Sequence, residues 1–171
     1  AYVIGANGQI AHLKLIDKKI SIWTEITISN SEFKSIICGS VYTLCLLKQS
    51  DKYKYPHLVC FWGNEKNGEP IFINAKESIP LALFGGRKTA AAIDEQGSVI
   101  VITQSTIQSD NNIPDIITLP NNERSIFVAC LEKILFILSE TNKVYEYLLA
   151  DKKINEVKEL KDKKIISISG T

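Results

Sequence analysis

Ile36-Ile37-Cys38-Gly39-Ser40-Val41-Tyr42-Thr43-Leu44-Cys45-Leu46 decides the fold, because its pattern returns further along the chain. An offset of 46 residues lays it over residues 82–92, with Gly39 on Gly85 and Thr43 on Thr89. A second step of 46 reaches residues 128–138, where Cys130 falls on Cys38 and Leu131 replaces the glycine. After a shorter step, Ile165-Ile166-Ser167-Ile168-Ser169-Gly170 opens a fourth copy. Each copy holds an apolar run, a small-residue turn, a second run, a polar turn and a third run. A period near 45 residues that holds three or four strands is the mark of propeller blades, whereas a sandwich needs no such period.

The runs themselves read as strands. They are short, rich in Ile, Val, Thr, Phe and Tyr, and separated by turn residues, which suits a pleated surface. Ile20, Ile22, Ile26 and Ile28 keep to even positions, and a period of two puts one face in and one out. Asp94-Glu95-Gln96-Gly97 and Ser139-Glu140-Thr141-Asn142-Lys143 read as hairpin connections, with Gly97 and Asn142 able to take positive φ. Helix signals are poor. The best helical stretch, 151–164, is charged throughout, and its part 154–160 is expected to be an outer strand. The fold class is therefore all-β: a propeller fragment of about three to four blades, each a four-stranded antiparallel sheet. The divisions expected are 1–32, the end of a preceding blade and a linker; 33–78, 79–122 and 123–160, one repeat each; and 161–171, the start of another.

The 171 residues carry 20 Lys+Arg against 19 Asp+Glu, a net charge of +1. Arg87 and Arg124 are the only arginines, so nothing points to nucleic acid or an anionic membrane. No apolar stretch is long enough to span a bilayer, and no signal peptide is visible. There is no Met, which suggests an internal piece or a processed chain. Cys38, Cys45, Cys60 and Cys130 form no C-x-x-C pair and lie among apolar residues. They are expected to be buried free thiols, with no metal site, in an intracellular protein of the cytoplasm or nucleus.

Residues 36–46, followed by Val59-Cys60-Phe61-Trp62-Gly63-Asn64-Glu65-Lys66-Asn67-Gly68, resemble a repeat of the regulator of chromosome condensation family. Such repeats carry a hydrophobic-Cys-Gly run ending in Thr-Leu, then Trp-Gly-x-Asn-x-x-Gly. The copies at 81–102 and 125–147 are degenerate. Tyr2-Val3-Ile4-Gly5-Ala6-Asn7-Gly8 is similar to the end of such a repeat, without the Trp. The resemblance implies a propeller, usually of seven blades, with structural roles for Cys38, Gly39, Thr43, Trp62, Gly63, Asn64, Gly85 and Thr89. Gly39 and Gly85 suit tight turns by positive φ or close approach. Trp62 would pack between sheets, and Asn64 would close an Asx turn. Thr43 and Thr89 would bond neighbouring backbones.

No catalytic set emerges. His12 lies within an alternating strand and His57 in a polar loop. Asp94-Glu95 is a turn pair. Phe84-Gly85-Gly86-Arg87-Lys88-Thr89 lacks phosphate-loop spacing. No catalytic residue, cofactor or metal is expected, and the chain is read as a non-enzyme. Tyr53 and Tyr55, set among lysines in the loop 49–57, are the candidate partner contacts. Two functions follow from the resemblance: a protein-interaction scaffold, or, as the alternative, a nucleotide-exchange factor for a Ran-like small GTPase. Either way the partner is a protein, with no membrane and no nucleic acid engaged through this segment.

Overall fold

The computed structural model describes residues 2–4, 10–16, 19–26, 32–48, 58–62, 71–76, 78–108 and 111–170; for 2–26, 61 and 62 the description is limited to strand pairing. Fifteen strands form four antiparallel sheets among these residues. The first sheet is three-stranded: β1 (Tyr2–Ile4), β2 (Ile10–Ile16) and β3 (Lys19–Ile26). The second joins β4 (Phe33–Cys38), β5 (Tyr42–Leu47), β6 (Leu58–Trp62) and β7 (Ile71–Ile73) in sequence order. The third joins β8 (Pro80–Gly85), β9 (Ala90–Asp94), β10 (Val99–Ile102) and β11 (Asp115–Ile117). The fourth joins β12 (Ser125–Cys130), β13 (Ile134–Ser139), β14 (Val144–Leu148) and β15 (Lys153–Glu156). Contacts between β4 and β8, β8 and β12, and β1 and β4 put the first strand of every sheet at the common inner edge. This is an all-β propeller arrangement, with three blades of four strands.

Residues in the middle strands of the third sheet are buried on both faces, which explains why they read as unbroken apolar runs. Ala90, Ala92, Ile100 and Ile102 pack toward the second sheet, against Tyr42, Leu44, Leu46 and Leu58. Ala91, Ile93, Val99 and Val101 pack toward the fourth, against Val128, Leu135, Ile137 and Tyr145. Alternation along a strand serves two cores at once. The alanines sit on the strand nearer the inner edge, where wedge-shaped blades leave the least room between sheets.

The period is more exact in hydrogen bonds than in residues. The amides of Lys48, Glu95 and Glu140 donate to the carbonyls of Glu32, Ile79 and Arg124. At the other end, those of Gly39, Gly86 and Leu131 donate to Tyr42, Thr89 and Ile134. The steps are thus 47 and then 45 residues, as Gly39, Gly86 and Leu131 show. A uniform 46 matches Gly39 to the wrong member of the Gly85-Gly86 pair. Cys38, Gly85 and Cys130 are the true equivalents, since they pair with Thr43, Ala90 and Leu135.

Other expectations shift as well. Residues 1–32, read as a blade end and linker, hold the three-stranded sheet, with β1 rather than a last strand beside β4. The outer strand expected over 154–160 runs Lys153–Glu156 and gives way to a 3-10 turn at Lys158–Leu160. Of residues 161–171, read as the start of a repeat, the described ones, 161–170, form no strand. They nevertheless lie against the fourth sheet: the Asn142 side chain donates to the Lys163 carbonyl at 2.7 Å and accepts from the Ile165 amide at 2.8 Å. A one-turn helix, α1 (Gln104–Gln108), was not anticipated; the Thr103 hydroxyl caps it by accepting from the Thr106 amide at 3.4 Å. No helix among the described residues is long and apolar enough to cross a membrane.

Candidate interaction surface

Three turns, 39–41, 86–88 and 131–133, follow the inner strands and share one end of the sheets. Their backbones are fixed by close approach rather than by unusual dihedrals. A Cβ on Gly39 would lie 2.2 Å from the Tyr42 ring and 2.8 Å from the Arg87 carbonyl oxygen. A Cβ on Gly86 would lie 2.0 Å from the Cys130 carbonyl oxygen. No real Cβ tolerates such distances, so glycine is what lets each turn touch the next sheet. At Leu131 the glycine is lost, and it reappears on the opposing segment: a Cβ on Gly170 would lie 2.6 Å from the Leu131 side chain. Gly85 is different, because a Cβ there would meet nothing nearer than 3.3 Å.

Tyr42 joins two of the turns. Its hydroxyl lies 2.8 Å from the Gly86 carbonyl and 2.9 Å from that of Thr89, and accepts from the Gly86 amide at 3.1 Å. Burial pushes its hydroxyl pKa well up, so it stays a neutral donor. The Ser40 amide and hydroxyl both donate to the Arg87 carbonyl, at 2.8 and 2.9 Å. These bonds engage the Gly86 amide and the carbonyls of Gly86, Arg87 and Thr89 in the Gly-Gly-Arg-Lys-Thr turn. Across the next gap, Lys88 pairs with Glu132 at 2.5 Å. Exposed at the tips are Ser40, Val41, Arg87, Lys88, Glu132 and Lys133, a rim with three positive charges and one negative.

The opposite end is built on the hairpins β9–β10 and β13–β14. Gly97 and Asn142 take φ of 85° and 65°, as their residue types suggested. The Asp94 carboxylate accepts from the amides of Gln96 and Ser98 at 3.0 and 2.8 Å. Ser139 performs the same closure in the other hairpin, accepting from the Lys143 amide at 3.1 Å. Arg124 donates to the Glu95 carbonyl at 2.7 Å, tying adjacent sheets. Glu123, with a side chain only 8% exposed, is paired with Lys143. Burial works to raise its pKa, but hydrogen bonds from Lys143, Thr141 and Ser139 outweigh that and hold it at about 2.

The expected site residues divide accordingly. Gly39 and Gly86 sit at equivalent turns in close approach to the next sheet, whereas Gly85 does not. The Thr43 hydroxyl lies within its own hairpin, 3.7 Å from the Cys38 sulfur. Thr89 contributes its carbonyl to Tyr42. Trp62 pairs with Tyr42 in the ladder; its side chain, like Gly63, Asn64, Tyr53 and Tyr55, lies outside the described residues. The cysteines are free, but Cys38 is exposed rather than buried, because it ends an inner strand whose edge is open. Burial pushes the thiols of Cys60 and Cys130 up to about 12 and that of Cys45 higher still, so none of these three is an activated nucleophile. No group of His, Cys, Asp and Glu among the described residues could hold a metal ion. Sequence reading missed Tyr42, Gly86 and Glu123; only the doubled glycine offered a signal.

No protein-family model matches the chain, and no curated protein matches it in sequence. Solved structures do match in fold. Human WBSCR16 superposes with a TM-score of 0.61 at 10% identity, over 86% of this chain and 44% of that one. Prp20p from Saccharomyces cerevisiae, described with its binding properties to Gsp1p and histones, gives 0.59 at 14% identity, over 86% and 41%. Yeast RCC1 (Prp20) bound to Kap60 gives 0.58 at 14% identity, over 85% and 39%. The chain thus spans roughly two fifths of the proteins it matches. At such identities the likeness concerns architecture alone: the fold is an RCC1-like β-propeller arrangement.

Proposed function

We propose that this chain is part of a non-enzymatic interaction module that presents the rim of its inner turns to a protein partner. The observation that carries the reading is the way those turns are held. Backbone contact at Gly39 and Gly86, and the buried Tyr42 hydroxyl, fix the loops without using their exposed side chains. A rim ordered before binding loses little entropy on association. The buried thiols of Cys45, Cys60 and Cys130 and the carboxylates engaged in turn closure support a non-catalytic role. Tyr53 and Tyr55, outside the described residues, remain contact candidates, and replacing both with Ala should weaken a partner that uses them.

The exchange-factor reading draws support from the fold likeness to Prp20p, which is described as binding Gsp1p. Release of fluorescent GDP from Ran and a panel of small GTPases, measured with the full-length protein, separates the two. The interaction-module reading expects no acceleration. Catalytic acceleration on Ran would replace it with the exchange reading, and the rim substitutions Arg87→Glu and Lys133→Glu would then be tested against that activity.

A further inference from the structure

Each inner strand of the three four-stranded sheets carries a bulge at the same place. Pairing skips from Phe33 to Ser35, from Pro80 to Ala82 and from Ser125 to Phe127. The residue left out is Lys34, Leu81 or Ile126. A bulge turns its extra side chain away from the regular alternation and recurs where a strand edge serves a site. All three residues are exposed, although the residue before each is buried. Leu81 is 46% exposed and Ile126 54%. Ile166 continues the row: it follows Ile165 as Ile126 follows Ser125, and the amide of each preceding residue is held by the turn residue Asn142 or Gly97. It is 86% exposed. Phe127, beside Ile126, is 36% exposed while its ring meets Phe84 edge-on at 4.9 Å.

The large apolar side chains at these exposed positions belong to neither buried cluster. Covering them would take apolar surface out of water, so a row of them along the inner edge favours an occupant. Lys34 defines its charge. It is the one ionised member of the row, and no ion pair among the described residues engages it. We propose that this row is a second binding surface, along the inner edge, for an extended peptide segment of a protein partner that combines apolar side chains with a carboxylate. The apolar side chains cover Leu81, Ile126 and Ile166, and the carboxylate meets Lys34. The proposal rests on the reading of the chain as an interaction module but uses a surface separate from the turn rim.

The test uses the full-length protein and two short fluorescein-labelled peptides, one alternating leucine with glutamate and the other leucine with lysine, followed by fluorescence anisotropy. The acidic peptide should bind in preference. Leu81→Asp with Ile126→Asp should weaken it about tenfold or more, a loss of roughly 1.4 kcal/mol or more. Lys34→Glu should reverse the preference, binding the basic peptide better than the acidic one; this exposed single substitution serves even if the double variant unfolds. Arg87→Glu with Lys133→Glu should leave peptide binding unchanged. Equal binding of both peptides, no binding, or a preference that Lys34→Glu does not reverse would overturn the inner-edge site. Loss of peptide binding in the rim variant would also overturn it, placing the peptide at the rim and leaving the interaction reading intact.

Discussion

The joint between the second and third sheets differs from the joint between the third and fourth. Both bury an apolar cluster. The first is then stitched by a buried neutral hydroxyl, that of Tyr42, speaking to Gly86 and Thr89. The second has in that role a weaker thiol bond, from Cys130 Sγ to the Phe84 carbonyl at 3.7 Å, and is laced at its margins by exposed charges: Lys88 with Glu132, Lys152 with Asp115, and Arg124 on a backbone carbonyl. Salt screens exposed pairs and leaves a buried hydrogen bond untouched. One architecture therefore accepts two chemistries at equivalent places, which is why the repeats look so unlike each other in sequence.

The heaviest blow to either joint should come from its glycine. Gly86→Ala puts a Cβ into the Cys130 carbonyl and should destabilise by about 3 kcal/mol or more, read as a lowered urea midpoint. Gly85→Ala, one residue away, should cost about 1 kcal/mol or less. If the two variants behaved alike, the close contact between the sheets would not be there. Next in size is Tyr42→Phe, which takes the hydroxyl donor from the Gly86 carbonyl, while the Gly86 amide and the Thr89 carbonyl keep their bond to each other. It should cost about 1–3 kcal/mol, and by an amount that does not change with added salt.

A third effect belongs to the fourth sheet. Glu123 has its pKa depressed from 4.5 to about 2, so its ionised form is favoured by folding. Its contribution is fully present above about pH 4.5 and is lost as pH falls toward 2. Acid titration of thermal stability should show this loss, and Glu123→Gln should flatten the slope in that window. The smallest expected change has the opposite sign. The Ser125 hydroxyl is buried with no hydrogen-bond partner, at a place where the other sheets have Phe33 and Pro80. Ser125→Ala should be neutral or stabilising by about 1 kcal/mol, and a clear loss of stability would reveal a partner for that hydroxyl.

The strand rhythm and the hairpin residues were legible because each is local: Gly97 and Asn142 announce their dihedrals in their own chemistry. The repeat length was legible to within one residue, and the Gly85-Gly86 pair hid the last step by offering two matches. The joints were not legible. Tyr42 meets backbone atoms 44 and 47 residues away, and backbone atoms leave no trace in residue identity. Glu123 and Lys143 lie 20 residues apart, a separation no local pattern connects. The inner-edge row was obscured for another reason: Leu81, Ile126 and Ile166 look like ordinary core residues until their exposure is seen, which at the first two comes with a bulge.

The three bonds from Lys48, Glu95 and Glu140 to Glu32, Ile79 and Arg124 have a consequence for how such a chain can change over time. Each sheet is fastened by peptide groups that every substitution except proline preserves. Heredity can then rewrite the side chains around the fastening almost freely, and two descendants can share the architecture after their alphabets have ceased to correspond.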